Sequence, residues 1–440
     1  MASMLRCCMV IKSFLRKIIP KSLLRFYHLL LVELAALFYG YPSRKMIVIG
    51  ITGTKGKSST AYLTAKILEE AGYKVGLTST VLFKIGAREW LNPYKMTMLG
   101  RFRLQKMLRE MVGAGCGYAV VETSSEGILQ NRHRGIAYDV AVFTNLSPEH
   151  LEAHGSYANY RAAKAELFKS LKKKSLGGKE IPRIIIANAD DQEAEYYLGF
   201  PADKKFTFTL ENKVVDGIMT ISAADIILGA DGSSFRVDGQ NFSLGILGRF
   251  NIYNALAAVT VAVSQNVTLA SAAAALAKID SIPGRFEIIE AGQPFKIIID
   301  YAHEPASMEE MFAATNLLAH QRIIHVFGGT GGGRDKGKRA AMGKISAANA
   351  DYIIITNDDP YDEDQNKIAD DIILGIKDAG HQNFEKILDR RKAIQKALAL
   401  ADDNDLVLVT GKGAEQAMMV GEKKIPWDDR KIVIEILNQH

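Results

Sequence analysis

Short apolar runs rich in β-branched residues alternate along this chain with segments of helical spacing. Met46–Ile49, Tyr118–Glu122, Val140–Thr144 and Ile184–Ala187 have the length and composition of buried strands. Between the strands, apolar positions recur every three to four residues, first over residues 58–71. This alternation predicts a parallel sheet whose two faces are covered by helices.

The pattern changes twice further along the chain. Residues 205–243 hold short alternating runs separated by Asp-Gly and Asn turns, which predicts a small antiparallel insertion. A second strand–helix series follows residues 281–285, with strands predicted at Phe295–Ile299, Ile323–Phe327, Tyr352–Thr356 and Leu406–Thr410. We therefore predict an α/β protein with a helical arm over residues 1–45, a central domain over 46–283 and a Rossmann-like C-terminal domain over 284–440.

Composition narrows the functional classes. The 440 residues are 48% apolar and 24% charged with a net charge of +6, which is typical of a globular protein. The chain has no basic stripe with interleaved aromatic residues, so we expect no nucleic-acid partner. Cys7 and Cys8 are adjacent and Cys116 is distant, which indicates reduced thiols and a cytoplasmic setting.

The N-terminal arm is apolar and basic. Arg25, His28 and Glu33 interrupt its longest apolar run, so a membrane-spanning helix is not predicted, and no small-residue cleavage site indicates a secretory signal. Two interpretations remain for residues 1–40: a basic amphipathic helix pair on a membrane surface or a partner, or an arm packed on its own domain. We expect a monomer. The basic residues of the arm's first part are Arg6, Lys12, Arg16, Lys17, Lys21 and Arg25.

A glycine-rich turn follows the first predicted strand and opens the first predicted helix. Such a turn presents backbone N–H groups to phosphate oxygens, and the helix N-terminus adds partial positive charge. Lys57 can reach the β- and γ-phosphates, and the Ser58 hydroxyl can ligate Mg²⁺. The spacing departs from the common phosphate-loop pattern because position 51 is isoleucine. The turn is Gly53-Thr54-Lys55-Gly56-Lys57-Ser58-Ser59.

Candidate ligands follow the next strands. Glu122 ends a strand beside the phosphate turn, where a carboxylate suits Mg²⁺. His150 and His154 are spaced as one helical turn, which would suit zinc, but no third ligand is evident. Lys164 lies in an amphipathic helical pattern and, on chemistry alone, is a solvated lysine.

Many motifs in this order resemble the Mur ligases, and most of all the UDP-N-acetylmuramoyl-tripeptide synthetases. The resemblance runs from about residue 46 to the C-terminus and implies ATP-dependent amide formation in peptidoglycan precursor synthesis. In such a reaction ATP phosphorylates a substrate carboxylate, and the amine of an amino acid attacks the acyl phosphate. The motifs are Gly53–Ser58, Glu122–Ser125, Thr144–His150, Ala163-Lys164, Gly248–Asn254, Pro283–Glu287, Asp300–His303 and Gly328–Arg339.

The resemblance also implies roles for individual residues. For ATP the matching positions are Gly53, Thr54, Lys55, Gly56, Lys57, Ser58, Ser59, Asn251, Asn254 and Arg285. For two Mg²⁺ ions they are Ser58, Glu122, His150 and Lys164, the lysine as a carbamate. For catalysis they are Lys57, Lys164, His150, Arg285, Asp300 and His303. For acceptor peptide and amino acid they are Thr97, Ser125, Arg132, Arg334, Asp358, Asp359, Gly411 and Glu415.

Several positions depart from the family pattern. About 45 residues precede the part of the chain that shows the resemblance, so we expect the family's UDP-binding first domain to be missing. Lys95 to Met98 replace a Thr-Thr-Pro segment. Tyr361 replaces the arginine associated with diaminopimelate, which removes the fork that a second carboxylate needs. Lysine or another diamino acid becomes plausible, because Asp358, Asp359 and Glu415 could receive a distal ammonium.

Other functional classes stay open from sequence alone. Another ligase of the superfamily, of the folylpolyglutamate or cyanophycin type, would share the turn but use a different acceptor. A phosphate-loop NTPase without amide chemistry would hydrolyse ATP independently of any amine. A non-catalytic scaffold would have no use for the metal ligands.

Overall fold

The computed structural model describes residues 21–148, 154–333 and 335–439, and within them the protein is α/β as predicted. The helices are α1 Lys21–Phe38, α2 Lys57–Glu70, α3 Arg101–Gly113, α4 Ser125–Leu129, α5 Tyr157–Lys169, α6 Ala194–Leu198, α7 Arg249–Ser264, α8 Leu269–Leu276, α9 Pro305–Thr315, α10 Gly337–Asn349, α11 Gln365–Asp378, α12 Arg390–Leu400 and α13 Asp429–Leu437. Short 3₁₀ helices cover Pro42–Lys45 and Arg132–Gly135.

The strands alternate with these helices through most of the chain. They are β1 Ile47–Thr52, β2 Val75–Thr78, β3 Leu82–Ile85, β4 Arg88–Leu91, β5 Tyr118–Glu122, β6 Val140–Phe143, β7 Lys174–Leu176, β8 Lys179–Ile181, β9 Ile184–Asn188, β10 Lys204–Thr209, β11 Met219–Ser222, β12 Ala224–Gly229, β13 Gly232–Val237, β14 Gln240–Leu244, β15 Glu287–Ile289, β16 Lys296–Asp300, β17 Ile323–Gly329, β18 Tyr352–Asn357, β19 Phe384–Lys386, β20 Leu406–Thr410, β21 Ala417–Val420 and β22 Lys423–Pro426.

The first large sheet has nine strands in the order β11-β10-β9-β6-β1-β5-β2-β3-β4. Its centre is parallel: β1 pairs with β5 and β6, and Ile51 lies opposite both Glu122 and Val142. These strands are buried because helices cover both faces. Since the carboxyl ends of parallel strands share one edge, the loops after β1, β5 and β6 meet there.

The predicted antiparallel insertion is wrong in its first half. Strands β10 and β11 join the large sheet in parallel, and only β12, β13 and β14 form a separate antiparallel sheet. Both strands lie at one edge of the sheet and are only partly buried. Their apolar and polar residues therefore alternate, as in any half-buried strand. An antiparallel hairpin of β3 and β4 continues the sheet beyond β2.

The second large sheet has six strands in the order β15-β16-β20-β17-β18-β19. All pairs are parallel except β15 with β16. Its apolar strands bury Ile298, Ile354 and Val409 completely between two layers of helices. Asp358 and Gly411 directly follow β18 and β20, at the carboxyl edge of this sheet.

Helix α1 packs on its own domain, as one interpretation of the arm predicted. Val32, Ala35 and Ala36 are buried against α3 and the 3₁₀ helix 132–135. The opposite side exposes an apolar stripe, which we call the arm stripe: Tyr27, Leu30, Leu34, Leu37 and Phe38. Among the described residues we find no helix with both the length and the apolar character that crossing a bilayer requires.

Candidate active site

Two glycines shape the turn between β1 and α2. Gly56 has φ 75° and Gly53 has φ 156°. A Cβ on Gly53 would lie 1.9 Å from the Thr144 hydroxyl, and one on Gly56 would lie 2.1 Å from the Asn254 side-chain oxygen. Neither position has room for a side chain, so the backbone of the turn lies directly against its neighbours.

The loop after β6 holds the turn in place. The Asn145 carbonyl accepts a hydrogen bond from the Thr54 N–H at 2.9 Å, and Asn145 Oδ1 accepts one from the Lys55 N–H at 2.9 Å. Thr144 Oγ1 donates to the Lys55 carbonyl at 2.7 Å. The Lys57 ammonium donates to the Thr54 carbonyl at 2.7 Å, so it lies over the turn it is expected to serve.

The two predicted nucleotide contacts on α7 lie beside this turn. The Asn254 side chain faces Gly56 and donates to Asn251 Oδ1 at 3.1 Å. Asn251 in turn donates to the Leu247 carbonyl at 2.8 Å. Both side chains are buried, and these two hydrogen bonds hold the Asn254 amide at the turn.

Glu122 lies at the same edge with its carboxylate fully engaged by hydroxyl and amide donors. Ser58 Oγ donates to Oε2 at 2.8 Å, the Thr80 N–H donates to Oε2 at 2.7 Å, and Thr80 Oγ1 donates to Oε1 at 3.0 Å. Thr80 Oγ1 also contacts Thr97 Oγ1 at 2.9 Å. A buried carboxylate surrounded by hydroxyl oxygens is the donor set that suits Mg²⁺, so these residues fit the implied ion.

Lys164 is buried, which contradicts its assignment as a solvated lysine on chemistry alone. Helix α5 carries its ammonium to the Gly53 carbonyl, a contact of 2.6 Å. The same ammonium lies 4.3 Å from the centre of the Tyr160 ring. The amphipathic pattern missed this because Lys164 lies on the buried side of α5, together with Tyr160 and Phe168.

Two of the predicted acceptor residues, Ser125 and Arg132, lie in the segment that follows β5. Ser125 Oγ lies 3.2 Å from His154 Nε2. Burial lowers the pKa of His154, and the nearby charge of Lys164 lowers it further. The Arg132 guanidinium donates to the Met98 carbonyl and to Gln130 Oε1, and burial lowers the pKa of Arg132. The residues 149–153, including His150, lie outside the described residues, and so does Arg334.

The junction between the two large sheets is organised by Asp300. Its carboxylate accepts hydrogen bonds from the N–H groups of Phe286 (2.6 Å) and Ala302 (2.7 Å). Burial raises the pKa of Asp300, while the Arg285 charge and these N–H groups oppose the shift. The Arg285 guanidinium lies 4.2 Å from the centre of the Tyr301 ring.

His303 lies at the same junction. Its Nδ1 is 2.7 Å from the Tyr301 carbonyl. Nearby, Lys55 of the phosphate turn forms an ion pair with Glu310 of α9 at 3.1 Å. The predicted catalytic residues Arg285, Asp300 and His303 therefore lie at the junction, on the side of the second sheet that faces the phosphate turn.

A buried charged cluster lies at the carboxyl edge of the second sheet. The Lys412 ammonium is 3.2 Å from Asp358, 2.9 Å from Asp359 and 2.7 Å from Glu415. We call these three carboxylates, with Lys412, the acidic pocket. Gly411 borders it, since a Cβ there would meet Asp358 at 2.9 Å.

The charges of the acidic pocket stabilise one another. Burial alone would raise the pKa of Asp358, but Lys412, Arg390 and Lys95 outweigh burial and hold it at about 2. Burial would lower the pKa of Lys412, but the three carboxylates raise it well above its usual value. Asp358 and Lys412 therefore carry opposite charges at neutral pH.

Sequence reasoning missed three side chains of the site. Thr80 bridges Glu122 to Thr97, Lys412 forms the base of the acidic pocket, and Lys95 enters that pocket from the first sheet's side. Two signals were available in the sequence: Lys412 lies between two glycines, and Thr80 lies at the end of a strand. Lys95 had none, because its partners lie more than 260 residues away.

Comparison with known protein families identifies two domains. The model of the Mur ligase middle domain matches residues 51–262, and that of the Mur ligase glutamate ligase domain matches residues 284–413. Together they cover most of the chain, including the phosphate turn and all of the acidic pocket except Glu415.

Similar curated proteins carry the same kind of name. The UDP-N-acetylmuramyl-tripeptide synthetase of Roseiflexus sp. (strain RS-1) is 39% identical over 412 residues, which is 91% of this chain and 80% of the relative. A UDP-N-acetylmuramoyl-L-alanyl-D-glutamate–2,6-diaminopimelate ligase of Geobacillus thermodenitrificans (strain NG80-2) is 36% identical over 403 residues, again 91% and 80%.

Solved structures share the fold. A UDP-N-acetylmuramoyl-L-alanyl-D-glutamate–2,6-diaminopimelate ligase superposes with a TM-score of 0.58 at 28% identity, covering 90% of this chain and 79% of the other. Folylpolyglutamate synthase of Mycobacterium tuberculosis reaches 0.67 at 17% identity, covering 92% and 95%, which is a likeness of fold alone. The chain belongs to the Mur ligase family and is an ATP-dependent acid–amino-acid ligase.

Proposed function

We propose that this ligase adds an amino acid to the carboxylate of a UDP-N-acetylmuramoyl-peptide-type acceptor in the cytoplasm, as a step of peptidoglycan precursor synthesis. The names of its relatives support this acceptor class. The observation that carries the proposal is the meeting of Lys57, Ser58, Glu122 and Lys164 around one glycine turn.

The reaction balances as two substitutions. An acceptor carboxylate oxygen attacks the γ-phosphorus of ATP and ADP leaves, which gives an acyl phosphate. The amine of the amino acid then attacks the acyl carbon, loses a proton, and expels phosphate together with the oxygen that had bridged carbon and phosphorus. Lys57 would balance charge on the transferred group, and the backbone N–H groups of residues 53–58 would hold the phosphates.

The remaining nucleotide contacts follow from their positions. Asn254 faces the turn and Asn251 fixes its amide, so both would orient the nucleotide. Arg285 and His303 lie at the junction, where they would meet the phosphates from the second domain. Asp300 holds that junction through backbone N–H groups and is a positioning residue.

Two magnesium ions would be held by side chains most of which offer oxygen ligands. We assign Ser58 and Glu122 to one ion, with His150 and a carbamate on Lys164 for a second. The carbamate forms when the neutral Lys164 amine adds to carbon dioxide and loses a proton, which replaces a buried cation by an anion. Mg²⁺ would supply charge neutralisation for phosphoryl transfer.

The substrate sites flank this centre. We assign Thr97, Ser125 and Arg132 to the acceptor peptide, since Thr97 contacts Thr80 beside Glu122 and the other two lie in the segment after β5. For the amino acid we assign Arg334 to its carboxylate and the acidic pocket with Gly411 to a distal ammonium. With tyrosine at position 361 in place of an arginine, we propose a diamino acid such as lysine.

Mass spectrometry of products tests this function. The protein is incubated with ATP, Mg²⁺, UDP-muramoyl dipeptide and a panel containing lysine, diaminopimelate, ornithine, glutamate and alanine. We expect a tripeptide product with a diamino acid and ADP formation that requires both substrates. Product with a folate-type acceptor and glutamate alone would overturn the proposal in favour of a folylpolyglutamate-type ligase, and ADP formation without any amine would indicate a simple NTPase.

We also propose that the monomeric enzyme rests on an anionic membrane surface through the arm. Residues 1–45 hold eight Lys and Arg side chains and one Glu, a net +7, so the remaining 395 residues carry a net −1. The arm stripe adds exposed apolar side chains to this charge. Apolar and basic groups together favour an anionic bilayer over a neutral one.

A further inference from the structure

The segment between β4 and α3 crosses from the first sheet to the second domain and inserts Lys95 into the acidic pocket. The Lys95 ammonium contacts the Asp359 carboxylate, Glu415 Oε2 at 2.7 Å and the Ala417 carbonyl at 3.2 Å. Its three hydrogens thus have three acceptors, all from the C-terminal half of the chain. Only about a tenth of its side chain is exposed.

The ligand chemistry of this contact matches the proposed substrate. An ammonium on a four-carbon chain is also the distal end of lysine, and Asp359 and Glu415 are the carboxylates assigned to receive it. Lys412, which follows β20, is fully buried; it shares Glu415 Oε2 with Lys95 but contacts Asp359 through Oδ1. A substrate ammonium would need Asp359 Oδ2 and Glu415 Oε2, the two carboxylate oxygens that Lys95 contacts.

The segment is held in this conformation from the first domain. Lys95 has φ 49°, which is unusual for a residue with a side chain. Asn92 Nδ2 donates to the carbonyls of Ser79 (2.8 Å) and Met96 (3.0 Å), and Asn92 Oδ1 accepts from the Tyr94 N–H at 2.8 Å. Lys424 of the second domain reaches the Pro93 carbonyl on the outer side of the segment.

The same segment leads to the metal carboxylate. Thr97 follows Lys95 by two residues, and its hydroxyl lies 2.9 Å from the Thr80 hydroxyl, which donates to Glu122. A movement of Lys95 is therefore coupled through a short chain of contacts to the centre where the acyl phosphate would form.

We propose that Lys95 is a built-in competitor of the amino acid. Without substrate its ammonium fills the distal subsite and holds the two domains together. The incoming diamino acid replaces it, and the segment carrying Thr97 is released toward the acceptor. This inference rests on the proposed diamino acid specificity.

The test compares Lys95→Met with the wild type. If Lys95 fills the subsite for about nine-tenths of the time, its removal lowers the KM for the diamino acid about tenfold, while the KM for ATP stays the same. Lys424→Met is the matched control, because it removes an interdomain contact of the same segment outside the pocket. We expect no change in the amino-acid KM for that control.

A second readout needs no catalysis. Small-angle scattering of the unliganded protein should show a larger radius of gyration for Lys95→Met and Lys95→Ala than for the wild type. Adding free lysine should expand the wild type in the same way.

The two proposals fail in different ways. A wild type that makes no product with any diamino acid sinks the proposed specificity, whereas unchanged scattering in both Lys95 variants sinks the competitor role. A KM that rises in Lys95→Met would mean that Lys95 binds substrate, and would also overturn the inference.

Discussion

At the scale of single residues, the site depends on groups whose roles only the fold reveals. Glu122 and the glycines of the turn were predictable because motif chemistry and strand ends coincide in the sequence. Lys164 was not predictable from its pattern, since a lysine on an amphipathic helix is usually solvated. Thr80 and Lys95 act through contacts between distant segments, which local patterns do not encode.

Replacing Lys164 by alanine tests the carbamate directly. We expect kcat to fall about 100-fold, because a second magnesium would lose a ligand. Short carboxylates such as acetate or formate should restore part of the activity by filling the vacated place. Lys169→Ala, on the exposed part of the same helix, is the control and should leave kcat unchanged.

Carbon-13 NMR after enrichment with labelled bicarbonate gives an independent readout. The wild type should show a carbamate signal that Lys164→Ala lacks. A fully active Lys164→Ala protein would contradict the role.

At the scale of elements, hydrophobic periodicity predicted the strand and helix types and the parallel direction of the buried strands, but not the partners of every strand. The runs at β1, β5 and β6 were predicted because buried parallel strands are continuous and apolar. Strands β10 and β11 were assigned to the wrong sheet. In a half-buried strand at a sheet edge, apolar and polar residues alternate whether the pairing is parallel or antiparallel. The arm illustrates the same limit, since α1 is apolar on nearly every side and its pattern does not select one face.

The arm stripe gives a prediction at this scale. Flotation with phosphatidylglycerol vesicles should recover the full chain, and phosphatidylcholine vesicles or high salt should not. Leu34→Glu should weaken binding about tenfold, because a leucine no longer enters the bilayer interface. Leu374→Glu, on the similarly exposed surface of α11, should have no effect.

Two results would contradict the membrane surface. Equal recovery with neutral and anionic vesicles would mean that the basic residues of the arm do not direct the binding. Stronger binding after deletion of residues 1–20 would mean that this segment covers the arm stripe and that the full chain does not dock.

At the scale of the whole molecule, the domain with the phosphate turn and the domain with the acidic pocket meet at a closely packed junction. Gly284 has φ 64°, and a Cβ there would lie 2.0 Å from the Ala414 nitrogen, next to the pocket. The predicted domain boundary at residues 283 and 284 falls at this contact and stays a prediction. Sequence motifs marked the junction, but not how closely it packs.

Gly284→Ala should therefore destabilise the protein by more than conformational strain alone. Gly292→Ala is the matched control, because Gly292 has φ 86° but faces open space. We expect the excess loss for Gly284→Ala to be about 1–3 kcal/mol, measured by denaturant unfolding. Equal losses in both variants would show that the junction tolerates the added methyl group.

Oxygen-18 transfer tests the ligase chemistry most directly. The acceptor is labelled in both oxygens of its reacting carboxylate and incubated with ATP, Mg²⁺ and the diamino acid, and the released phosphate is analysed by mass spectrometry. An acyl phosphate predicts one labelled oxygen in each phosphate and one in the new amide. Unlabelled phosphate would contradict a transfer of the γ-phosphoryl group to the acceptor.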